Sequence, residues 1–299
     1  MNTNLKQNGL VFNTVCFIED ILFKLFTIIS PKLNTTLRYF QASGKWPNYR
    51  EPKTFTEKLI TLKLKKYIHN PLVIKCADKY AVREYISNCG YDYILNDLIG
   101  VYNDATEIPW NELPQKFVLK WNFGAGMNII CKEKDYLDIT ETIKQLNRWG
   151  KRKYWLTHAE MQYKYAPKRI ICERFLQTPD NTSIPDYKVY CFNGKPLAIL
   201  VMHDRGNGVK TEFFDQFWNP LANTKKYSSP KNPTPKPSCL NELLKCAEAL
   251  SKPFPFVRLD FYIIDNRIIF GEMTFTPAGG VLTSQTMIDG KEMGEYLTI

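Results

Sequence analysis

Histidine is scarce in this chain: His69, His158 and His203 are all that 299 residues contain. No nucleophile–base pair of the usual kind is evident among them. The eight cysteines (16, 76, 89, 131, 172, 191, 239 and 246) include no CxxC pair and no disulfide-like cluster. Several sit inside apolar strands, where a thiol behaves as a small hydrophobe. Reduced thiols and a cytoplasmic setting are therefore expected, with no zinc or redox-cysteine centre. There is no internal repeat and no helix-turn-helix, zinc-finger or RNP-like pattern, which makes nucleic acid a weak partner. A long uninterrupted apolar run is also missing. Residues 10–30 come nearest, but Glu19, Asp20 and Lys24 interrupt them. Charges near the centre cost too much for a comfortable transmembrane helix. No cationic leader and small-residue cleavage site frames the segment as a signal peptide either.

What the chain has in quantity is positive charge and apolar material. Hydrophobic residues make up 44%, enough for one large core or two modest ones. The net charge of +10 implies anionic partners: nucleotide, acidic sugar, nucleic acid or anionic lipid. The densest basic clusters are LKLKKYIHN (62–70) and WGKRKYW (149–155), though a solvated face without a partner explains either one equally well. On a helical period Phe12, Val15, Ile18 or Glu19, Leu22, Phe26 and Ile29 share one face of residues 10–30. A helix docked on the core is expected there. The alternative is an interfacial helix making peripheral contact with the inner face of the cell membrane.

Further along, residues 1–50 read as helical, with a break at Lys45-Trp46-Pro47-Asn48. Thr54 to Asn88 is helical in two segments split at Asn70-Pro71, and 91–116 mixes short strands and turns. Asp138 to Gln162 is again helical. Tyr227 to Pro237 is proline-rich and predicts a surface loop before a helix at 240–251.

The chemistry concentrates in FVRLDFYIIDNRIIFGEMTFTPAGG, Phe256 to Gly280. Asp265-Asn266 supplies the turn of a β-hairpin whose strands carry Asp260 and Glu272 near their joined ends. Two hard carboxylates on one face suit Mg²⁺ holding a nucleotide triphosphate, and Thr274 lies on the same strand face as Glu272. Two solvated strand carboxylates are the plainer alternative. Arg258 alternates onto the Asp260 face, as a salt-bridge partner or as a fork for a phosphoryl group. FVLKWNFGAGMNII (117–130) is strand, glycine-rich loop and strand. There Gly124 and Gly126 allow close approach to phosphate, and backbone N–H groups can cradle it. RIICERFL (169–176) is an apolar strand ending at Glu173, and DYKVYCFNGKPLAILV (186–201) is a hairpin turning at Asn193-Gly194 with Lys188 on its first strand.

In this order the lysine strand, glycine loop, glutamate linker, basic hairpin and Asp…Glu-x-Thr hairpin resemble an ATP-grasp enzyme. The wording is closer still to the TupA-like ATP-grasp family, named for teichuronopeptide biosynthesis. EPKTFTEKLITLKL (51–64), NPLVIKCADKYAVREYI (70–86) and the C-terminal hairpin carry that resemblance from about residue 35 onward. It implies an α+β fold of two lobes clamping ATP behind an N-terminal helical region (1–50) and a mixed region (51–116). The lobes would span 117–176 and 177–299. It also implies ATP contacts from Lys79, Lys120, Gly124, Ala125, Gly126, Glu173, Phe175, Leu176 and Lys188. Mg²⁺ would sit on Asp260, Glu272 and Thr274, with Lys188 and Arg258 facing the transferred phosphoryl group. The family's usual Lys-Pro-Asn-His-Gly-Ser-Gly reads here Lys120-Trp121-Asn122-Phe123-Gly124-Ala125-Gly126, losing a polar ring and a hydroxyl.

The activity so implied is a carboxylate–amine ligase of surface-polysaccharide biosynthesis. Its partners would be a nucleotide, an acidic sugar or glycan acceptor, lipid-linked or free, and an amino acid or amine donor. A glycan kinase on the same cleft and a non-catalytic nucleotide-binding relative are the alternatives. Asp204–Asn223 and Thr276–Met287 are the expected substrate-facing segments; His203-Asp204-Arg205 is placed to contact substrate, though a surface turn explains it equally well.

Overall fold

The computed structural model describes residues 9–178, 182–204, 208–222, 228–282 and 287–299, with side chains from residue 16 onward. Two helices come first, α1 (Gly9–Ile29) and α2 (Pro31–Ser43). Buried polar bonds fix them to the rest of the chain. The Asn34 amide donates to the Phe23 carbonyl at 2.8 Å and to Thr27 Oγ1 at 2.7 Å. The Thr27 hydroxyl donates to the distant Leu156 carbonyl at 2.6 Å. The expected docked helix is thus present, but it docks through a different face: Phe23 and Thr27 are buried, whereas Leu22 and Ile29, expected on the packed face, are exposed. Left-handed Gly44, at φ 70°, ends α2.

α3 (Phe55–Leu62) opens on a reciprocal capping box between Thr54 and Glu57 and widens into a π-helical turn at Lys63–Tyr67. Asn70 then caps α4 (Pro71–Ala77) by accepting from the Leu72 and Val73 N–H groups. The helix does not run on as the sequence pattern predicts. Asp78 is extended, and its carboxylate accepts from the N–H groups of Tyr80 (2.7 Å) and Ala81 (3.0 Å). That bond restarts the chain as α5 (Val82–Asn88) and leaves Lys79 in the break.

A four-stranded antiparallel sheet follows, in the order β1 (Leu98–Tyr102), β4 (Ile170–Arg174), β2 (Phe117–Trp121), β3 (Asn128–Cys131). Its helical cover is α6 (Ile139–Gly150), capped by Asp138. The predicted helix over 138–162 is interrupted: α7 (Trp155–His158) and α8 (Gln162–Tyr165) are single turns parted by left-handed Ala159. β1 lies upstream of the expected lobe boundary at 117, so the first sheet draws on both regions.

The second sheet is six-stranded and antiparallel, in the order β10-β9-β5-β6-β7-β8. Its strands are β5 (Asp186–Phe192), β6 (Lys195–His203), β7 (Lys210–Asp215), β8 (Pro220–Leu221), β9 (Phe256–Ile264) and β10 (Arg267–Thr274). Both predicted turns have paired positive φ angles, Asn193-Gly194 at 50° and 78° and Asp265-Asn266 at 50° and 60°. The helix α9 (Leu240–Ser251) and a short ribbon of β11 (Met287–Ile288) and β12 (Lys291–Glu292) complete the chain.

Two hydrophobic clusters result. One, built on Phe117, Leu119, Leu146, Ile170 and Cys172, lies under the four-stranded sheet. The larger joins the six-stranded sheet to α9 and to residues 55–94, so helices placed before the lobes by sequence are part of the second lobe's core. Tyr163 packs against both clusters. All eight cysteines are free, and burial pushes the Cys76, Cys172 and Cys191 thiols up to about 12.

Candidate active site

A cleft of about 570 Å³ separates the two sheets. Strand alternation supplies its walls, because side chains two residues apart point the same way. Val118 and Lys120 come from β2, Asn128 and Ile130 from β3, Asp186 and Lys188 from β5, and Arg258, Asp260 and Tyr262 from β9. Phe175 and Leu176, in the segment that follows β4, add apolar surface with Ile184 and Met202.

The register of the second sheet sets the charges. Asp260 is opposite Glu272 on one side and Lys188 on the other, and Arg258 is opposite Thr274. Arg258 grips Asp260 with two bonds, Nε to Oδ1 at 2.6 Å and Nη2 to Oδ2 at 2.7 Å. Lys188 Nζ also donates to Asp260 Oδ2. Burial works against ionising Asp260, but Arg258 and Lys188 outweigh it and hold the carboxyl below its usual range. Glu272 is more open. Its nearest cations are Arg258 at 3.6 Å and Lys79 at 3.9 Å, and its side chain is 35% exposed. A bulge at Gly271 lets the strand pass close to the Asp260 carbonyl, where a Cβ would sit 2.9 Å away.

The glycine loop is held from below. Asn122 is fully buried and donates to Asp78 (2.6 Å) and to the Pro167 carbonyl (2.7 Å), while its own carbonyl receives the Lys79 N–H at 3.0 Å. Lys79 Nζ donates to the Gly124 carbonyl at 2.5 Å, and burial lowers its pKa against the partial offset of Glu272. Gly124 has φ 68° and lies against the Tyr154 ring, so this position admits no side chain. Phe123 is a core residue packed on Trp121, not a site residue, whereas Ala125 and Gly126 line the cleft.

The structure therefore brings Lys79, Lys120, Ala125, Gly126, Phe175, Leu176, Lys188, Arg258, Asp260 and Glu272 to one cleft. Gly124, Glu173 and Thr274 stand behind its wall. Glu173 accepts from Lys120 at 2.7 Å and faces Arg83 at 3.6 Å, so it holds the cleft lysine in place. The Thr274 hydroxyl is spent between Arg258 (3.2 Å) and Glu272 (3.3 Å). The cleft also includes residues that sequence reasoning passed over: Val118, Asn128, Asp186 and Tyr262. Stepping two positions from Lys120, Lys188 and Asp260 would have found most of them.

The substrate-facing segments are mixed. Asp204 lines the cleft, but His203 turns to Thr234 at 2.9 Å and Glu212 at 3.4 Å. Arg205, and parts of Asp204–Asn223 and Thr276–Met287, lie outside the described residues. A second buried network locks the loop after β10. The Thr276 hydroxyl donates to Glu160 at 2.7 Å, and buried Lys63 donates to the Gly279 carbonyl at 2.8 Å and to the His158 carbonyl. Burial lowers the Lys63 ammonium to about 8 and raises the Glu160 carboxyl.

Residues 57–298 match the sequence profile of a family described as TupA-like ATPgrasp. The chain belongs to the TupA-like ATP-grasp family. No curated protein matches it in sequence. Among solved structures it is similar to a D-alanine–D-alanine ligase from Bacillus anthracis complexed with ATP: 16% identity, TM-score 0.40, covering 67% of this chain and 55% of that one. It is also similar to an L-amino acid ligase from Bacillus licheniformis, at 12% identity and TM-score 0.45, covering 76% of this chain and 50% of the other. An N5-carboxyaminoimidazole synthase from Aspergillus clavatus matches at 11% identity and TM-score 0.40, with 68% and 45% covered. The chain spans about half the length of these structures.

Proposed function

We propose that this TupA-like ATP-grasp chain is an ATP- and Mg²⁺-dependent carboxylate–amine ligase acting in surface-polysaccharide biosynthesis. The observation that carries this reading is the cross-strand pair Asp260 and Glu272, facing Lys79, Lys120, Lys188 and Arg258 in one interlobe cleft. The donor set fits Mg²⁺. Two hard carboxylates sit side by side, and among the described residues no group of three or more His, Cys, Asp or Glu is placed to hold a metal. A site with only two protein carboxylates suits Mg²⁺ that completes its shell with phosphate oxygens and water. Bound there, the ion would neutralise charge on the triphosphate. Asp260 and Glu272 are the residues proposed to hold it, with the Thr274 hydroxyl orienting Glu272 and Arg258.

The chain's own groups supply position and charge. Ala125 and Gly126 offer loop N–H groups to phosphate oxygens, and Lys79, Lys120 and Lys188 surround the charge that develops on the γ-phosphoryl group. Val118, Ile130, Phe175, Leu176, Ile184 and Met202 form an apolar slot for the base. The acceptor's carboxylate oxygen attacks the γ-phosphorus and ADP leaves. The amine nitrogen then attacks the acyl carbon, phosphate leaves and an amide forms. This chemistry asks for geometry and electrostatics more than for a protein nucleophile, in keeping with the paucity of histidine. The acceptor we propose is a uronic acid or similar glycan carboxylate, and the donor an amino acid or amino sugar.

Incubating the protein with Mg·ATP, an acidic sugar and mixed amino acids tests the reaction. ADP release that requires both carboxylate and amine supports the ligase. Phosphorylated sugar formed without any amine would assign the cleft to a kinase, and nucleotide binding without turnover on any acceptor would make it a binding protein.

A further inference from the structure

One face of α1 is apolar and, among the described residues, uncovered. Phe17, Ile18, Ile21, Leu25, Ile28 and Ile29 are all exposed, from 41% for Ile21 to 73% for Ile29. On a helical wheel they fall, together with Leu22, within a single arc that carries no charge. The opposite face explains why the helix is nonetheless fixed: Phe23 and Thr27 are buried there against α2 and α7. The helix's charged residues lie off the exposed arc and are partnered, Glu19 with Gln41 at 2.8 Å and Asp20 with Lys24. So α1 is anchored on one side and presents a greasy ridge on the other. Contiguous exposed apolar surface of this kind marks an interaction site.

The surroundings say what covers it. Lys32 is exposed on the first turn of α2. Lys151, Arg152 and Lys153 are exposed immediately before α7, which α1 touches through the Thr27–Leu156 bond. α2, packed against α1, ends near Trp46, which is 65% exposed and stacked on exposed Phe40 at 4.6 Å. An apolar helical ridge with basic residues and an aromatic pair nearby matches a bilayer interface with anionic headgroups. No described helix is long and apolar enough to cross a membrane, so the geometry is one of lying on the surface. We infer that the exposed face of α1 docks the protein on an anionic lipid surface, with the Lys151–Lys153 cluster contacting headgroups. This goes beyond the proposed ligase reading and does not depend on it.

Sedimentation with phosphatidylcholine vesicles, with and without phosphatidylglycerol, tests the inference on the full chain. The protein is expected to co-sediment with the phosphatidylglycerol vesicles and to be released as salt is raised. The double variant Ile21→Glu/Leu25→Glu, at two exposed positions, should abolish binding without changing thermal stability. The double variant Lys151→Glu/Lys153→Glu should weaken it at least about tenfold, each basic residue near such a surface being worth about 1 kcal/mol. Vesicle binding that survives Ile21→Glu/Leu25→Glu overturns the inference. So does wild type that ignores vesicles but forms a dimer which that variant dissociates, since the ridge would then belong to a second copy.

Discussion

The two walls of the cleft are built by the same rule and finished differently. On the six-stranded sheet the charges are sealed in place: Asp260 and Lys188 are each only 3% exposed and bonded to each other, and Arg258 is clamped to Asp260. On the four-stranded sheet Lys120 and the loop residues Ala125 and Gly126 are more open, and the loop is positioned from behind by Asn122, Lys79 and Tyr154. One wall is therefore an array whose members hold one another, and the other is a backbone cradle shaped by its supports. Losing a member should cost fold and function together on the first wall, and function more than fold on the second.

Asp260→Asn is the strongest way to break that contrast. It leaves Lys188 and Arg258 buried beside a neutral amide, so a stability loss of about 3–5 kcal/mol is expected in denaturant titrations. The folded fraction should also turn over about 10²–10³-fold more slowly. Gly124→Ala attacks the second wall through its support. The new Cβ would meet the Tyr154 ring at 2.6 Å in a left-handed backbone conformation, with an expected loss of about 1–3 kcal/mol. Nucleotide affinity should fall with it.

His158 probes the loop that follows β10. Burial, with Arg38 and Lys63 nearby, lowers its pKa from 6.5 to about 4. The unfolded chain therefore takes up a proton that the folded chain refuses, and stability should decline as pH falls from 6.5 toward 4. His158→Gln should flatten that part of the stability profile by about 1–2 kcal/mol, read from melts across the range. Lys120→Met should have the smallest structural effect, under about 1 kcal/mol, because the lysine is partly open and Glu173 keeps Arg83 nearby. Its turnover should still drop about tenfold or more, which would separate the two walls.

The sequence made the hairpins legible because their turns are local. Asn193-Gly194 and Asp265-Asn266 announce themselves, and the second one fixes the pairing of Asp260 with Glu272. The caps of α3 and α4 are local too. What stayed hidden depends on partners far along the chain. The break at Asp78 is stabilised by Asn122, forty-four residues on, and it alone moves Lys79 from a helix surface into the cleft. Nothing in the spacing around Glu160 shows that it meets Thr276 or adjoins Lys63. Likewise, the contribution of helices 55–94 to the second lobe's core rests on contacts with strands more than a hundred residues away.

On the proposed reading, Asp260 and Glu272 jointly grip the cation of a metal-bound nucleotide. Calorimetric titration of ATP, with Mg²⁺ and with EDTA, into wild type and Glu272→Gln tests it most directly. Glu272 is open enough for the variant to keep its fold. Mg²⁺ should strengthen ATP binding to the wild type at least about tenfold, the scale on which charge-assisted contacts act, and leave Glu272→Gln nearly unaffected. Equal Mg²⁺ enhancement in both proteins, or none in either, would contradict it.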